Sequence, residues 1–124
     1  MKTITNKLPI PTEHEEAVML TQYLDLMQTQ GKVKLYTHVA NETFTRSWNT
    51  KRKNKQEGVM PGCPDYIILT PEDMFFIELK RIRGGVVSSE QKQWIEHLQY
   101  LGFNARVCKG SKEAIDFIEG KRTI

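Results

Sequence analysis

The chain has 124 residues, of which 39% are hydrophobic and 27% are charged, and its formal net charge at pH 7 is +3. This length predicts a single domain over residues 1–124, and the composition excludes a disordered chain. No apolar run approaches the roughly 20 residues of a membrane-spanning helix, the start lacks a secretory signal, and two cysteines are too few for a disulfide framework. We therefore expect no membrane contact and a cytoplasmic location, in a host cytoplasm if the gene belongs to a phage.

The first third of the chain is predicted to contain an arm, a helix and a strand. Residues 1–11 show no period, which indicates an extended arm. Thr12 is a suitable N-cap, apolar residues then recur on one helical face, and Gly31 ends the helix. Residues 33–39 alternate in the manner of a strand.

A basic segment follows. Residues 41–60 are polar and aperiodic, which predicts a long loop, and loops of this length in a compact domain are usually functional or disordered. Five cations and one tryptophan lie in a part of this loop that contains no acid: Arg46, Trp48, Lys51, Arg52, Lys53 and Lys55.

The middle of the chain predicts two paired strands. Residues 61–64 have the composition of a turn, and residues 65–69 and 74–80 have the composition of strands. Because only four residues connect the two strands, we expect an antiparallel hairpin.

The last third predicts a helix, a strand and a helix. The first of these helices begins at Ser88 or Ser89 and runs to about Tyr100, residues 104–108 are a strand, and Ser111 is expected to cap the last helix. The resulting order, α-β-β-β-α-β-α, predicts an α/β domain with a mixed β-sheet flanked by helices.

The strand over residues 74–80 has two different faces. One face is wholly apolar and must contact a core, because side chains alternate along a strand. The other face places Glu78 and Lys80 two positions apart, in a strand too apolar for the edge of the sheet. Burying such a pair is costly unless the charges meet a partner or a metal.

Asp65 begins the neighbouring strand, where the hairpin can bring its carboxylate next to that of Glu78. Two adjacent carboxylates repel each other unless a cation lies between them, and oxygen ligands of this kind suit Mg²⁺ or Mn²⁺. Such an ion lowers the pKa of a bound water and neutralises charge on a phosphodiester, while Lys80 can orient that water. The three residues therefore predict metal-dependent hydrolysis of a phosphodiester.

A longer pattern surrounds these three residues. It consists of Gly-x-Pro-Asp, a strand, Glu-x-Lys, a glycine turn, Ser-x-x-Gln, an aromatic helix and a strand that follows a glycine. In chain order, the residues that match this pattern are Gly62, Pro64, Asp65, Glu78, Lys80, Gly84, Gly85, Ser88, Gln91, Trp94 and Gly102. The combination resembles the VRR-NUC family, a branch of the PD-(D/E)xK nuclease superfamily. The resemblance implies a restriction-endonuclease-like core, and stand-alone versions of this kind are typical of phages and mobile elements.

The resemblance also implies roles for individual residues. Asp65 and Glu78 would bind the metal together with the backbone carbonyl of Leu79, and Lys80 would be the catalytic lysine. Gln91 matches a glutamine of the family that lies near the catalytic hairpin, and the resemblance therefore implies that it belongs to the catalytic site.

An active-site glutamate on the first helix is implied as well. Glu16 shares a helical face with Leu20 and Leu24 and is predicted to point inward, so we favour it as a catalytic and metal-binding residue. Glu13 lies on the same face one turn earlier and is the alternative, whereas Glu15, the third glutamate of this turn, is predicted to point elsewhere.

These expectations together suggest a nuclease that acts on DNA. Beside a phosphodiesterase site, the cations of the basic loop are expected to contact phosphates, and Trp48 to stack on a base. We expect a structure-specific endonuclease that acts on branched DNA such as Holliday junctions, and a homodimer like that of small stand-alone family members. Two alternatives are a non-catalytic nucleic-acid-binding module and a restriction-type enzyme or exonuclease of the same superfamily.

Overall fold

A four-stranded mixed sheet, in the order β1-β2-β3-β4, forms the centre of the fold. The computed structural model describes residues 9–39 and 48–120. In chain order the elements are α1 (Glu13–Thr29), β1 (Leu35–His38), α2 (Trp48–Gln56), β2 (Tyr66–Leu69), β3 (Met74–Lys80), α3 (Ser89–Tyr100), β4 (Asn104–Lys109) and α4 (Ser111–Ile118).

The hairpin and the mixed sheet that the sequence predicted are confirmed. Strands β1, β2 and β3 pair antiparallel, and β3 pairs with β4 in parallel. In the hairpin, Tyr66 lies opposite Ile77 and Leu69 lies opposite Met74. This register decides which side chains of the two strands are neighbours.

The sheet is covered on both faces, and each face has its own apolar cluster. The larger cluster joins α1 and α4 to the sheet and consists of Leu20, Leu24, Val33, Tyr66, Ile68, Phe75, Ile77, Leu79, Cys108 and Ala114. On the other face, α3 contributes Ile95 and Leu98, which pack with Ala105 and Phe76. Because side chains of β3 alternate, the residues on the Phe76 side of β3 face α3.

The beginnings of α1 and α3 follow the predicted capping chemistry. Thr12 and Ser88 are the N-caps, and each forms a capping box with the residue three positions later, Glu15 and Gln91 respectively. Each box satisfies backbone N–H groups that the first turn of a helix leaves without a partner.

The predicted loop over residues 41–60 is wrong for residues 48–56, which form α2. Lysine, arginine and glutamine are good helix formers, but the segment lacks an apolar stripe, so hydrophobic periodicity could not reveal the helix. Residues 41–47, and with them Arg46, lie outside the described residues, and so does the side chain of Trp48. Residues 1–8 of the predicted arm also lie outside them.

The predicted cap of α4 is also wrong. Gly110 is the N-cap and offers no side chain, while the backbone N–H of Ser111 donates to the carboxylate of Glu16 on α1. A distant acid thus takes the place of a local cap, which no local sequence signal reveals.

Among the described residues, no helix has both the length and the apolar character needed to cross a membrane.

Candidate active site

The hairpin places Asp65 and Glu78 side by side. Tyr66 pairs with Ile77, so the residue before Tyr66 meets the residue after Ile77 on the same face of the sheet. Asp65 is held there by a hydrogen bond from the backbone N–H of Leu79 to its Oδ2, at 3.1 Å. The two carboxylates therefore come from neighbouring strands and share the α3 side of the sheet.

Glu78 is the most constrained side chain of this group. It is 1% exposed, its Oε2 accepts a hydrogen bond from Nε2 of Gln91 at 3.1 Å, and the same oxygen lies 3.5 Å from Nζ of Lys80. Its Oε1 is buried and has no hydrogen-bond partner among the described residues. Burial, followed by the neighbouring Asp65 carboxylate, raises the pKa of Glu78 to about 8, although Lys80 opposes the change.

This arrangement fits a divalent cation. A buried carboxylate oxygen without a partner is costly, and a second carboxylate beside it increases the cost unless positive charge is supplied. Asp65, Glu78 and the carbonyl of Leu79 offer hard oxygen ligands, and Mg²⁺ is usually bound through one or two carboxylates while several waters complete its shell. Within residues 9–39 and 48–120, no group of three or more His, Cys, Asp or Glu side chains is placed to hold a metal. The carboxylates of Asp65 and Glu78 are oxygen ligands of the type that suits Mg²⁺ or Mn²⁺.

Gln91 reaches the hairpin because α3 approaches it closely. Gly62 has a φ of +92°, and a Cβ added there would lie 2.6 Å from the backbone carbonyl carbon of Glu90, so a larger residue would push the start of α3 away. Trp94 of α3 donates from its Nε1 to the carbonyl of Pro61 at 3.0 Å. The glycine of the Gly-x-Pro-Asp pattern is therefore explained by packing against α3, a role that the sequence alone did not show.

Glu16 lies near this region but is engaged elsewhere. It is 2% exposed, and its Oε2 accepts from the backbone N–H of Ser111 at 3.0 Å. The neighbouring Gly110 donates its N–H to the carbonyl of Lys80 at 2.8 Å and leaves room for the Glu16 carboxylate, which a Cβ at this position would strike. Glu16 thus contacts residues 110–111, which lie beside the end of β3. Among the described residues, it does not form a group of metal-ligating side chains with Asp65 and Glu78.

The other glutamates of α1 are less suited to the same role. Glu13 is exposed, and Glu15 is exposed and occupied by the capping box with Thr12. Of the two candidates from the sequence, Glu16 is therefore the buried one, and its part in metal binding stays a prediction.

The basic helix α2 presents its charges to solvent. Lys51, Arg52, Lys53 and Lys55 are all exposed. At 100° per residue, Lys51, Arg52 and Lys55 share one face of the helix, and Lys53 lies on the opposite face. Eight residues, 57–64, separate the end of α2 from Asp65, so a connection of at most about 30 Å joins the basic helix to the hairpin.

Comparison with known proteins agrees with this architecture. No curated protein matches the chain in sequence. A solved structure described as a VRR_NUC domain protein superposes with a TM-score of 0.67 over 91% of this chain and 89% of its own, at 24% sequence identity, and therefore shares the fold. The sequence model of the VRR-NUC domain matches residues 11–112, which include the hairpin, its carboxylates, Lys80 and Gln91. The chain therefore belongs to the VRR-NUC family and is a nuclease-type domain.

Proposed function

We propose that this protein is a divalent-metal-dependent endodeoxyribonuclease that hydrolyses phosphodiester bonds at branched DNA such as Holliday junctions. The observation that carries the proposal is the pairing of Asp65 with a buried Glu78 whose Oε1 has no hydrogen-bond partner in the described part of the chain. Side chains arranged in this way are costly for stability unless a cation completes them.

The chain's own residues have distinct tasks in this mechanism. Asp65, Glu78 and the carbonyl of Leu79 would hold Mg²⁺ or Mn²⁺, which when bound supplies an acidified water and neutralises charge on the scissile phosphate. Leu79 fixes Asp65 through its N–H, and Gln91 fixes Glu78. Lys80, whose side chain is 12% exposed, can donate to the attacking water or to a phosphoryl oxygen and stabilise the negative charge of the transition state.

A covalent mechanism through the nearby thiol is a poor alternative. Burial, with smaller contributions from Glu78 and Asp65, raises the pKa of Cys63. The thiolate is the nucleophilic form of cysteine, so these surroundings disfavour attack by Cys63. Hydrolysis by water is the better account of the site.

Glu16 is proposed to support the site from the α1 side. Its buried carboxylate contacts the chain next to Gly110, whose N–H holds the carbonyl of Lys80. A negative charge at this place can position β3 or a water near it, and partners of this outer kind commonly affect metal sites.

The exposed cations of α2 are proposed to contact the DNA backbone. Lys51, Arg52 and Lys55 provide a row of positive charges on one exposed helical face, and Arg46 and Trp48 are the remaining candidates from the sequence. Phosphate contacts position a nucleic acid but carry no sequence information directly. This favours recognition of DNA shape over recognition of sequence.

Action at a branch also favours assembly of two copies. A homodimer with a two-fold axis would present two equivalent sites to the two equivalent strands of a symmetric junction. We propose this assembly together with the substrate, and a molecular mass measured in solution with and without junction DNA tests it.

The function is tested by offering four substrates in parallel: a four-way junction, a flap, a linear duplex and a plasmid, each with Mg²⁺ or Mn²⁺. We expect cleavage of the junction that is lost in Glu78→Ala, because removal of a ligand removes the ion and its charge stabilisation. Cutting of plain duplex at one fixed sequence would favour a restriction-type enzyme, and cutting only from ends would favour an exonuclease. Binding without cleavage by the unaltered protein would indicate a non-catalytic binding module.

A further inference from the structure

We infer that Ser88 is a positioning residue for the metal site, because it sets the orientation of the Gln91 amide and through it that of the Glu78 carboxylate. The inference rests on the proposed function, since it concerns which oxygen of Glu78 faces the ion. In the described part of the chain, no hydrogen bond joins Ser88 to Asp65, Glu78 or Leu79.

Three hydrogen bonds connect Ser88 to Glu78. Oγ of Ser88 accepts from the backbone N–H of Gln91 at 3.1 Å, and Oε1 of Gln91 accepts from the backbone N–H of Ser88 at 2.9 Å. Nε2 of the same Gln91 side chain donates to Oε2 of Glu78 at 3.1 Å. One amide thus completes the start of α3 and also contacts the carboxylate on β3.

These contacts decide which way the amide points. In the Gln91 side chain, only the amide oxygen can accept the backbone N–H of Ser88. The NH₂ group of the amide is therefore left to face Glu78. The reversed amide would set two donors against each other at Ser88 and an oxygen against the carboxylate of Glu78. The capping box therefore selects the orientation that stabilises Glu78.

The consequence reaches the oxygen that faces the proposed ion. The NH₂ group of Gln91 and Nζ of Lys80 both approach Oε2 of Glu78, whereas Oε1 has no hydrogen-bond partner within the described residues. Donors on one oxygen hold the carboxylate in a rotamer that leaves the other oxygen without a donor. Ser88→Ala keeps the backbone N–H that donates to Oε1 of Gln91 but removes Oγ, which accepts the N–H of Gln91. The first turn of α3 would then loosen, and with it the contact between Gln91 and Glu78.

The chain offers a control for simple loss of stability. Gln99, near the other end of α3, donates from Nε2 to the carbonyl of Ala105 at 2.8 Å. Gln99→Ala loosens the same helix against the sheet without touching the connection between Ser88 and Glu78. Ser88→Thr is the conservative variant, because threonine also serves as an N-cap.

The first measurement is Mn²⁺ affinity without DNA, followed by the electron paramagnetic resonance signal of free Mn²⁺. We expect Ser88→Ala to weaken binding by about 10-fold, the low end of the effect usual when the outer partner of a ligand, here Gln91, is lost. Ser88→Thr should restore the affinity, and Gln99→Ala should leave it unchanged. Wild-type affinity in folded Ser88→Ala, or an equal loss in Gln99→Ala, would overturn the inference.

The second measurement needs no metal. In ¹⁵N spectra of the metal-free protein, the side-chain NH₂ of Gln91 should exchange slowly with solvent in the wild type and quickly in Ser88→Ala. Unchanged exchange in Ser88→Ala would refute the positioning role whatever the metal does. Failure of the wild type to bind Mn²⁺ while the exchange rates differ as expected would instead refute the proposed metal site and leave the orienting bond in place.

Discussion

The hairpin and the basic helix α2 use charge in opposite ways. In the hairpin, Glu78 is buried, and its contacts with Gln91 and Lys80 restrict its side chain to one rotamer. In α2, the four cations are exposed, and the helix buries no apolar side chain among its described residues. Buried charge is costly and becomes useful only with a definite partner, whereas exposed charge costs little and attracts any polyanion. We therefore propose that the hairpin carries the chemistry and that α2 attracts DNA.

The largest effect is expected at Lys80, which is compared with its neighbour Lys109 to distinguish a role in the cleavage step from a role in attracting DNA. Lys80→Ala should lower the cleavage rate at saturating DNA by about 10²- to 10³-fold, the usual cost of losing one group that stabilises the transition state. Lys109 lies beside Lys80 in the register of β3 and β4 and is exposed, so Lys109→Ala removes the same charge without a contact to Glu78. Equal losses in the two variants would contradict a special role for Lys80.

A smaller effect is expected at Glu16. Glu16→Gln keeps an acceptor for the N–H of Ser111 and should therefore retain the fold, yet it removes the charge proposed to support the site. We expect cleavage to fall by about 10- to 100-fold, typical of a partner outside the metal ligands. Glu16→Ala should lose stability as well, measured by thermal unfolding. Full activity in Glu16→Gln would restrict Glu16 to anchoring α4.

Substitutions in α2 should change the affinity for DNA and not the cleavage rate. Neutralising Lys51, Arg52 and Lys55 together should reduce the slope of log affinity against log salt by about 3, because each lost contact with duplex phosphate lowers it by about 0.9. The cleavage rate at saturating DNA should not change. Lys53→Gln on the opposite helical face is the control, and it should have little effect on the slope. An unchanged slope in the triple variant would remove α2 from the DNA interface.

The smallest effect concerns stability of the metal-free protein. The pKa of Glu78 is raised from 4.5 to about 8, so the folded chain retains a proton there that the unfolded chain has released. Stability should therefore fall as pH rises through this interval, and the loss should be complete above pH 8. In a chelator, we expect the thermal midpoint of the wild type to fall relative to that of Glu78→Gln as the pH increases. Parallel curves for the two proteins would show that the pKa of Glu78 is not raised in the folded chain.

The difference between the two regions also explains what the sequence could predict. The alternation of apolar and charged residues over 74–80, next to turn residues, was sufficient to predict the hairpin and the neighbourhood of Asp65 and Glu78. The helix α2 was missed because all its described side chains are polar and the period of burial is absent. Local signals succeed where one face is buried and fail where none is.

Long-range contacts set a second limit on prediction. Glu16 was expected to point inward, and it does, but its bond to Ser111 spans most of the chain and leaves no pattern at either position. The reason for Gly62 was equally hidden, because only the fold brings Glu90 close to it. The pattern Ser-x-x-Gln predicted a helix start near residue 88, while the additional bond from Gln91 to Glu78 required the assembled sheet.

The central claim is that the hairpin binds one divalent cation between Asp65 and Glu78. Anomalous diffraction from crystals soaked in Mn²⁺ tests it most directly, with Glu78→Ala crystals as the control. We predict one strong peak in contact with the carboxylate of Asp65, Oε1 of Glu78 and the carbonyl of Leu79, absent in Glu78→Ala. A wild-type map without a peak there, or with Glu78 Oε1 turned away from the bound ion, would contradict the claim.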